Sequence, residues 1–123
     1  MIKYNIKYEA LGEIRMGSPY NGANVILDGE FIPDMSELTF QDKGIVSNDG
    51  FTCYLIQWDM IDNNPGYKIW KIDAKDRKIS KSKHIDGCCD DINLNDSGVT
   101  VKTWKWDSSK KCENVSETEI SFS

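Results

Sequence analysis

Several features that commonly reveal a function are missing from this chain of 123 residues. No apolar run approaches the length of a membrane span or of a signal-peptide core, so we expect a cytoplasmic protein that contacts no membrane. No segment carries a helical apolar stripe over about ten residues. The nucleophile elbow, the P-loop and the glycine-rich dinucleotide fingerprint do not occur either. The missing motifs lead us to expect a protein that is not an enzyme, and the length and the lack of a long linker predict one domain over residues 1–123.

Histidine is scarce and cysteine is poorly spaced for metal binding. The chain has one histidine and four cysteines, with no C-x-x-C motif. Cys89 directly follows Cys88, and adjacent cysteines cannot easily aim both sulfurs at one tetrahedral centre. Without an export signal we expect all four cysteines, which are Cys53, Cys88, Cys89 and Cys112, to be reduced thiols. We expect no metal and no cofactor.

The stretch HIDGCCDDINLNDSG, residues 84–98, concentrates ligand-type side chains. Asp91, Asn93 and Asn95 fit the first oxygen positions of a calcium loop, but Asp96 stands where the loop needs glycine and Lys102 where it needs an acid. A Cys–His nucleophile would have to use His84, and no orienting motif surrounds it. Paired carboxylates are too common in this chain to identify a hydrolase. We predict an acidic surface turn.

Strand patterns dominate the rest of the chain. IKYNIKY alternates apolar and polar residues, and NVIL is closed by an Asp-Gly turn signal. FTCYLIQW is the longest apolar-rich strand, and it predicts a central strand that contains Tyr54, Ile56 and Trp58. ELTFQ, YKIWKID, RKISKSKHI, VTVKTWKW and ETEISFS complete the set, with a helix over 34–43 as an alternative for one segment. The pattern predicts an all-β, single-domain antiparallel sandwich or meander.

One internal echo suggests a second architecture. Gly50-Phe51-Thr52 leads to Trp58-Asp59, and Gly98-Val99-Thr100 leads after the same gap to Trp106-Asp107. Similar hairpins occur in β-propeller blades, but a closed propeller needs about four blades or more. Shared turn chemistry in two hairpins is the alternative interpretation.

Charge is unevenly distributed around a net value of −5. Residues 9–67 carry ten acids against two bases, whereas residues 68–83 carry seven bases against two acids. The basic run KIWKIDAKDRKISKSK is typical of a solvated hairpin, and the acidic flanks oppose phosphate approach. We therefore expect no nucleic-acid partner. An acidic surface instead attracts basic proteins.

In size, acidity and strand-rich hairpins of the type SNDGFTCYLIQWDM, the chain resembles the small immunity proteins of bacterial toxin–immunity systems. The partners of contact-dependent growth inhibition toxins are among these. The resemblance concerns the character of the whole chain and involves no signature motif. It implies a non-catalytic protein that neutralises a cognate toxin, often a basic nuclease, by occluding its active site with acidic side chains and exposed aromatic anchors. The alternative is a carbohydrate- or peptide-binding β-domain that uses exposed tryptophans.

The candidate contacts for a basic toxin are the acids of three segments. Because turns at the ends of adjacent strands can converge on one edge, we expect these acids to gather on a face that residues 68–83 do not occupy. The predicted partner-binding residues are Asp28, Glu30, Asp34, Glu37, Asp59, Asp62, Asp86, Asp90 and Asp91.

Overall fold

The computed structural model describes residues 2–13, 21–35, 38–60, 66–107, 112–120 and 122. Within that part, the side chains of residues 10–13, 21, 106, 107, 112 and 113 are not described. The described chain contains strands and turns and no helix. The strands are β1 (Asn5–Glu13), β2 (Asn21–Asp28), β3 (Phe40–Val46), β4 (Thr52–Trp58), β5 (Gly66–Asp73), β6 (Lys78–Lys81), β7 (Ile85–Asp86), β8 (Cys88–Asn95), β9 (Gly98–Asp107) and β10 (Cys112–Ile120).

The strands form two antiparallel sheets. The larger sheet has the order β1-β2-β3-β4-β5-β6, and β7 pairs with β5 beyond the end of β6. The smaller sheet has the order β10-β9-β8. Because strands that follow one another in sequence pair with one another, each sheet is a meander. The predicted all-β fold is confirmed, and β3 begins inside the segment for which a helix was the alternative.

Strands β4 and β5 form the centre of the molecule, and side chains on both of their faces are buried. Such strands carry apolar residues at successive positions instead of alternating with polar ones. Tyr54, Ile56, Tyr67 and Ile69 pack in one cluster with residues of the smaller sheet. The two sheets are therefore joined by an apolar interface, and the predicted central residues Tyr54, Ile56 and Trp58 are all buried.

The opposite face of the central strands is covered by the β1–β2 hairpin. Cys53, Leu55, Trp70 and Ile72 pack there with apolar residues that include Tyr4, Leu27 and Phe40. The hairpin pairs with β3 through only two residue pairs, Gly22↔Gln41 and Ala23↔Phe40. It then continues over the face, where the Tyr4 backbone N–H donates to the Gly50 carbonyl at 2.8 Å. The larger sheet therefore curves, and its β1–β2 hairpin covers one face of its own central strands.

The stretch 84–98 is not the surface turn that its composition predicts. It contains β7, a bend at Gly87 and the whole of β8, and it carries the chain from the larger sheet to the smaller one. Gly87 has a φ of 104°, and a Cβ there would lie 2.5 Å from the Trp104 carbonyl oxygen. Cys88 and Cys89 are buried at the start of β8. The prediction was wrong because the Asp86-Gly87 pair was taken to indicate a surface turn. The two apolar thiols that follow it are buried and begin a strand.

The two echoed segments lie in different sheets. Thr52–Trp58 is β4 of the larger sheet, whereas Gly98–Asp107 is β9 of the smaller one. They therefore do not repeat as neighbouring propeller blades. Their common feature is the turn before each strand, in which Asp49 or Asn95 accepts a hydrogen bond from a backbone N–H two residues later. This is the chemistry of an Asx turn.

Candidate interaction site

The predicted contact acids occupy distinct parts of the fold. Asp28 ends β2, and Glu30 and Asp34 follow it. Asp59 follows β4, Asp86 lies in β7, and Asp90 and Asp91 lie in β8. Glu37 and Asp62 lie outside the described residues.

The first group of acids lies beside the turn that joins β5 and β6. The Glu30 carboxylate accepts a hydrogen bond from the Ile2 backbone N–H at 2.8 Å. The ring of the adjacent Phe31 lies 5.9 Å from the Arg77 guanidinium, which belongs to that turn. Asp34 lines an open pocket of about 320 Å³ together with Ile32 and other side chains. This group is therefore placed next to the basic hairpin tip, and not away from it.

The second group forms a charged cluster around the single histidine. His84 Nδ1 lies 2.7 Å from Asp59 Oδ2, and His84 Nε2 lies 2.9 Å from Asp86 Oδ1. Gly66 leaves room for the imidazole, since a Cβ at this position would collide with His84 Cε1. Lys68 and Lys105 lie at the periphery, each 3.9 Å from one of the carboxylates. We call these five residues, Asp59, Lys68, His84, Asp86 and Lys105, the His84 cluster.

The geometry of the His84 cluster favours a positively charged imidazole. Carboxylates only accept hydrogen bonds, and a neutral imidazole can donate from just one of its nitrogens. The hydrogen bond to Asp59 raises the pKa of His84, the bond to Asp86 raises it further, and partial burial opposes both. The protonated imidazole of His84 thus balances part of the negative charge of Asp59 and Asp86. The Asp86 side chain is still 68% exposed, whereas that of Asp59 is 26% exposed.

The two groups of acids lie at opposite ends of β5. The His84 cluster adjoins the beginning of the strand, where Gly66 pairs with Asp86. The first group adjoins the turn after its end at Asp73. A strand of 8 residues spans about 23 Å at about 3.3 Å per step, so one partner contact does not bring the groups together. The structure joins Asp59 with Asp86 and separates both from Asp28 and Glu30.

Asp90 and Asp91 extend the acidic region along β8. Both side chains are exposed, and a register shift interrupts the pairing with β9 between Cys89 and Asp91. Asp91 Oδ1 accepts from the Ile92 backbone N–H at 2.9 Å, which holds the carboxylate in place. Lys43 Nζ donates to the Asp90 carbonyl oxygen at 2.6 Å. A fixed, exposed carboxylate such as that of Asp91 can pair with a cation of a partner.

The cysteines are structural side chains in this fold. Cys53, Cys88 and Cys89 are buried free thiols, and the side chain of Cys112 lies outside the described part. Burial raises the pKa of Cys53 and Cys89 to about 12. A nucleophilic thiol requires the opposite shift. His84 contacts carboxylates, so the described residues do not form a Cys–His pair, nor do they contain a metal-binding group of three or more suitable side chains.

Trp58, Trp70 and Trp104 do not supply the exposed anchors that the sequence led us to expect. Trp58 and Trp70 are 6% and 4% exposed, and Trp70 Nε1 donates to Gln57 Oε1 at 2.6 Å. Both belong to the central strands, where each face is covered. Trp104 is half-buried beside Trp58 and Cys88, and the Trp106 side chain is not described. Among the described side chains, the exposed large apolar ones are instead Ile2, Tyr8, Ile26, Ile32, Met60, Ile79 and Val115.

One exposed element was not anticipated as a site. Residues 114–119 of β10 are exposed at every position, so this strand presents both faces to solvent. Its sequence NVSETE has a single apolar residue, Val115, which is 56% exposed. A strand with no apolar alternation is the signal that could have indicated this arrangement.

Fold and surface together define an all-β protein of two stacked antiparallel sheets, in which Asp86, Asp90 and Asp91 are exposed on the connection to the smaller sheet and on its first strand. No protein-family model matches the chain, and no curated protein or solved structure matches it either. In the described part of the chain, no helix has the length and apolar character to cross a membrane.

Proposed function

We propose that this protein is a non-catalytic binding protein that neutralises a basic protein toxin, in the manner of the small immunity proteins of bacterial toxin–immunity systems. It would do so inside the cell that produces the toxin. Acidic side chains would pair with the lysines and arginines with which a nuclease holds phosphates, and would occlude the active site.

The observation that carries this proposal is the position of Asp86, Asp90 and Asp91. All three are exposed, and they lie on the connection that enters the smaller sheet and on its first strand. The basic tip of the β5–β6 hairpin lies at the far end of β5. A cationic partner would therefore meet exposed carboxylates at this end of the molecule, whereas at the far end Asp28, Glu30 and Asp34 lie beside the bases of the tip.

The environments of the cysteine and histidine side chains also support a binding role. The thiols of Cys53 and Cys89 are buried with raised pKa values, and the His84 imidazole lies between two carboxylates. These groups act in packing and charge balance. The burial of Trp58 and Trp70 weakens the alternative of a carbohydrate-binding face built from tryptophans.

The test begins with the genes beside the one that encodes this chain. An immunity gene is expected directly downstream of its toxin gene, and the two products are to be co-expressed and purified. Binding is then measured by calorimetry with Asp86→Asn/Asp90→Asn/Asp91→Asn. Asparagine removes charge while keeping a hydrogen-bonding side chain beside His84. Loss of a central acid that pairs with a toxin base is expected to cost about 2–5 kcal/mol of binding free energy.

The matched control removes three charges from the hairpin tip, as Lys75→Gln/Arg77→Gln/Lys78→Gln. These side chains are exposed, and we expect little change in affinity. Thermal unfolding of both variants checks that the fold is retained. If the tip variant loses the toxin and the aspartate variant keeps it, the acidic surface is not the site and the basic hairpin is.

A further inference from the structure

In the part of the chain that the structure describes, strand β10 has an open edge. It pairs with β9 through nine consecutive residue pairs without a register shift, and it is the last strand of its sheet. Its backbone is therefore held straight and extended along its whole length. Such an edge presents a row of backbone N–H and C=O groups that can pair with another strand.

Other sheet edges of the described chain are less suited to pairing. On the far side of the same sheet, the Gln41 side chain donates to the Cys89 carbonyl and Lys43 donates to the Asp90 carbonyl, so β3 covers part of the β8 edge. Strand β6 has 4 residues, and its Lys81 ammonium lies over the Trp70 ring at 4.1 Å. Strand β1 is interrupted by a register shift near Ala10. Strand β10 alone among these combines length with regularity.

The charge of β10 selects its occupant. The strand contains Glu113, Glu117 and Glu119 and no basic residue. Two copies of β10 placed edge to edge would bring like charges together, which destabilises a cross-strand pair. A basic strand would reverse the sign of the same interaction. Glu117 and Glu119 occupy alternate positions and share one face with Val115, so lysines or arginines opposite the two glutamates would match their charge.

We infer that β10 is a docking edge for an extended basic segment of a partner protein, which adds to the smaller sheet as a further strand. Backbone hydrogen bonds along β10 would supply affinity, and bases opposite the glutamates would supply specificity. This inference rests on the proposed function for the basic character of the partner. It adds the partner's conformation and the strand that it contacts.

The test uses a synthetic peptide as long as the 9-residue β10, in which lysine alternates with valine or threonine. Backbone amide exchange of residues 112–120 is followed by NMR with and without the peptide. We expect the peptide to slow exchange of the amides that point away from β9. Two control peptides separate the contributions: one has glutamate in place of lysine, and the other keeps its lysines but is N-methylated at its central residues.

Protein variants provide the matched comparison. Glu117→Lys/Glu119→Lys should weaken binding of the lysine peptide about tenfold, since opposed like charges replace attractive pairs. Asp42→Lys/Asp76→Lys makes the same charge change at exposed positions of the larger sheet and its turn, and it should change affinity less than about twofold. All four side chains are exposed, so the fold should be retained.

Three results would overturn the inference. They are protection of β10 by the N-methylated peptide as well as by its parent, perturbation confined to Asp86–Asp91, and unchanged β10 exchange at the highest soluble peptide concentration. None of them decides the proposed function, which depends on the response of the toxin to the aspartate variant. Conversely, loss of the proposed function with β10 protection intact would leave a docking edge for a basic partner of another kind.

Discussion

Strands β4 and β10 are both antiparallel strands of similar length, yet their environments are opposite. In β4, Cys53, Tyr54, Leu55 and Ile56 are buried in succession. In β10, all residues from 114 to 119 are exposed. The difference shows that the apolar residues of this chain are concentrated in the central strands. The central strands are covered on both faces, whereas β10 is polar and exposed on both faces. This arrangement is expected of an edge strand that must remain soluble in the absence of a partner strand.

The largest effect on the free energy of unfolding is expected from a substitution in the buried central strands. Ile69→Ala removes a fully buried side chain from the interface between the sheets, and it should reduce the free energy of unfolding by about 2–5 kcal/mol. Val115→Ala on β10 should change it by less than about 0.5 kcal/mol. Urea unfolding measures both values. Equal losses would mean that β10 is packed as tightly as β5.

The next effect concerns the joint between the two sheets. Gly87→Ala places a methyl group against the Trp104 carbonyl at a residue whose φ is 104°. We expect a loss of about 1–3 kcal/mol from strained backbone, with further loss from the collision. Ser97→Ala, in the exposed β8–β9 turn, is a control that has no such strain. A neutral Gly87→Ala variant in urea unfolding would show that the joint can relax.

A smaller effect is expected from the His84 cluster, and its sign follows from the raised pKa. The folded protein holds the His84 proton more tightly than the unfolded chain, whose histidine has the ordinary pKa of about 6.5. This stabilisation is therefore complete below that pH, and it is lost as the pH rises through the higher pKa of the folded state. Asp59 and Asp86 contact the ring, and Lys68 and Lys105 each lie 3.9 Å from one of these carboxylates.

The variant His84→Gln isolates this contribution. It should lower stability by about 1 kcal/mol at acidic pH, since charge-assisted hydrogen bonds at a partly exposed site are lost. It should also remove the decline of stability that begins as the pH rises above about 6.5. Urea unfolding across pH checks this, with Lys83→Gln, at a nearby exposed residue, as the control. A His84→Gln protein that retains the same pH profile would assign the decline to other groups.

The smallest effect on stability, and the most informative about the edge, is expected from Glu117→Val/Glu119→Val. These exposed substitutions should change unfolding free energy by less than about 0.5 kcal/mol. They also remove the repulsion that keeps β10 strands apart, so the protein should self-associate as concentration rises. Sedimentation measures this, with Asp42→Val/Asp76→Val as the control of equal hydrophobicity. A monomeric β10 variant would show that another feature blocks the edge.

Much of the fold could be read from local patterns. The apolar run around Tyr54–Trp58 predicted the central strand, and the Asp-Gly turn signal after NVIL agrees with the end of β2 at Asp28. Alternation located most of the other strands. Local patterns do not reveal which elements pack on each face of the central strands. The burial of Trp58 and Trp70 depends on the smaller sheet and on the β1–β2 hairpin, which pack there from distant parts of the chain.

The candidate site was predictable only in part for the same reason. Asp59 and Asp86 were both selected as acidic turn residues, but their common contact with His84 depends on the pairing of β5 with β7. The separation of Asp28 from this cluster depends on the path of the β1–β2 hairpin. The polar sequence of β10 was visible throughout, although exposure of both faces is evident only once the sheet order is known.

Amide hydrogen exchange of the free protein tests the central contrast most directly. The account predicts that amides of Leu55 and Ile69 exchange only when the whole protein unfolds. Along residues 114–119 it predicts alternation, in which amides directed at β9 are protected and those directed outward exchange rapidly. Uniform protection along 114–119, as slow as in β5, would show that the edge is already covered and would contradict the assignment of β10 as an open docking strand.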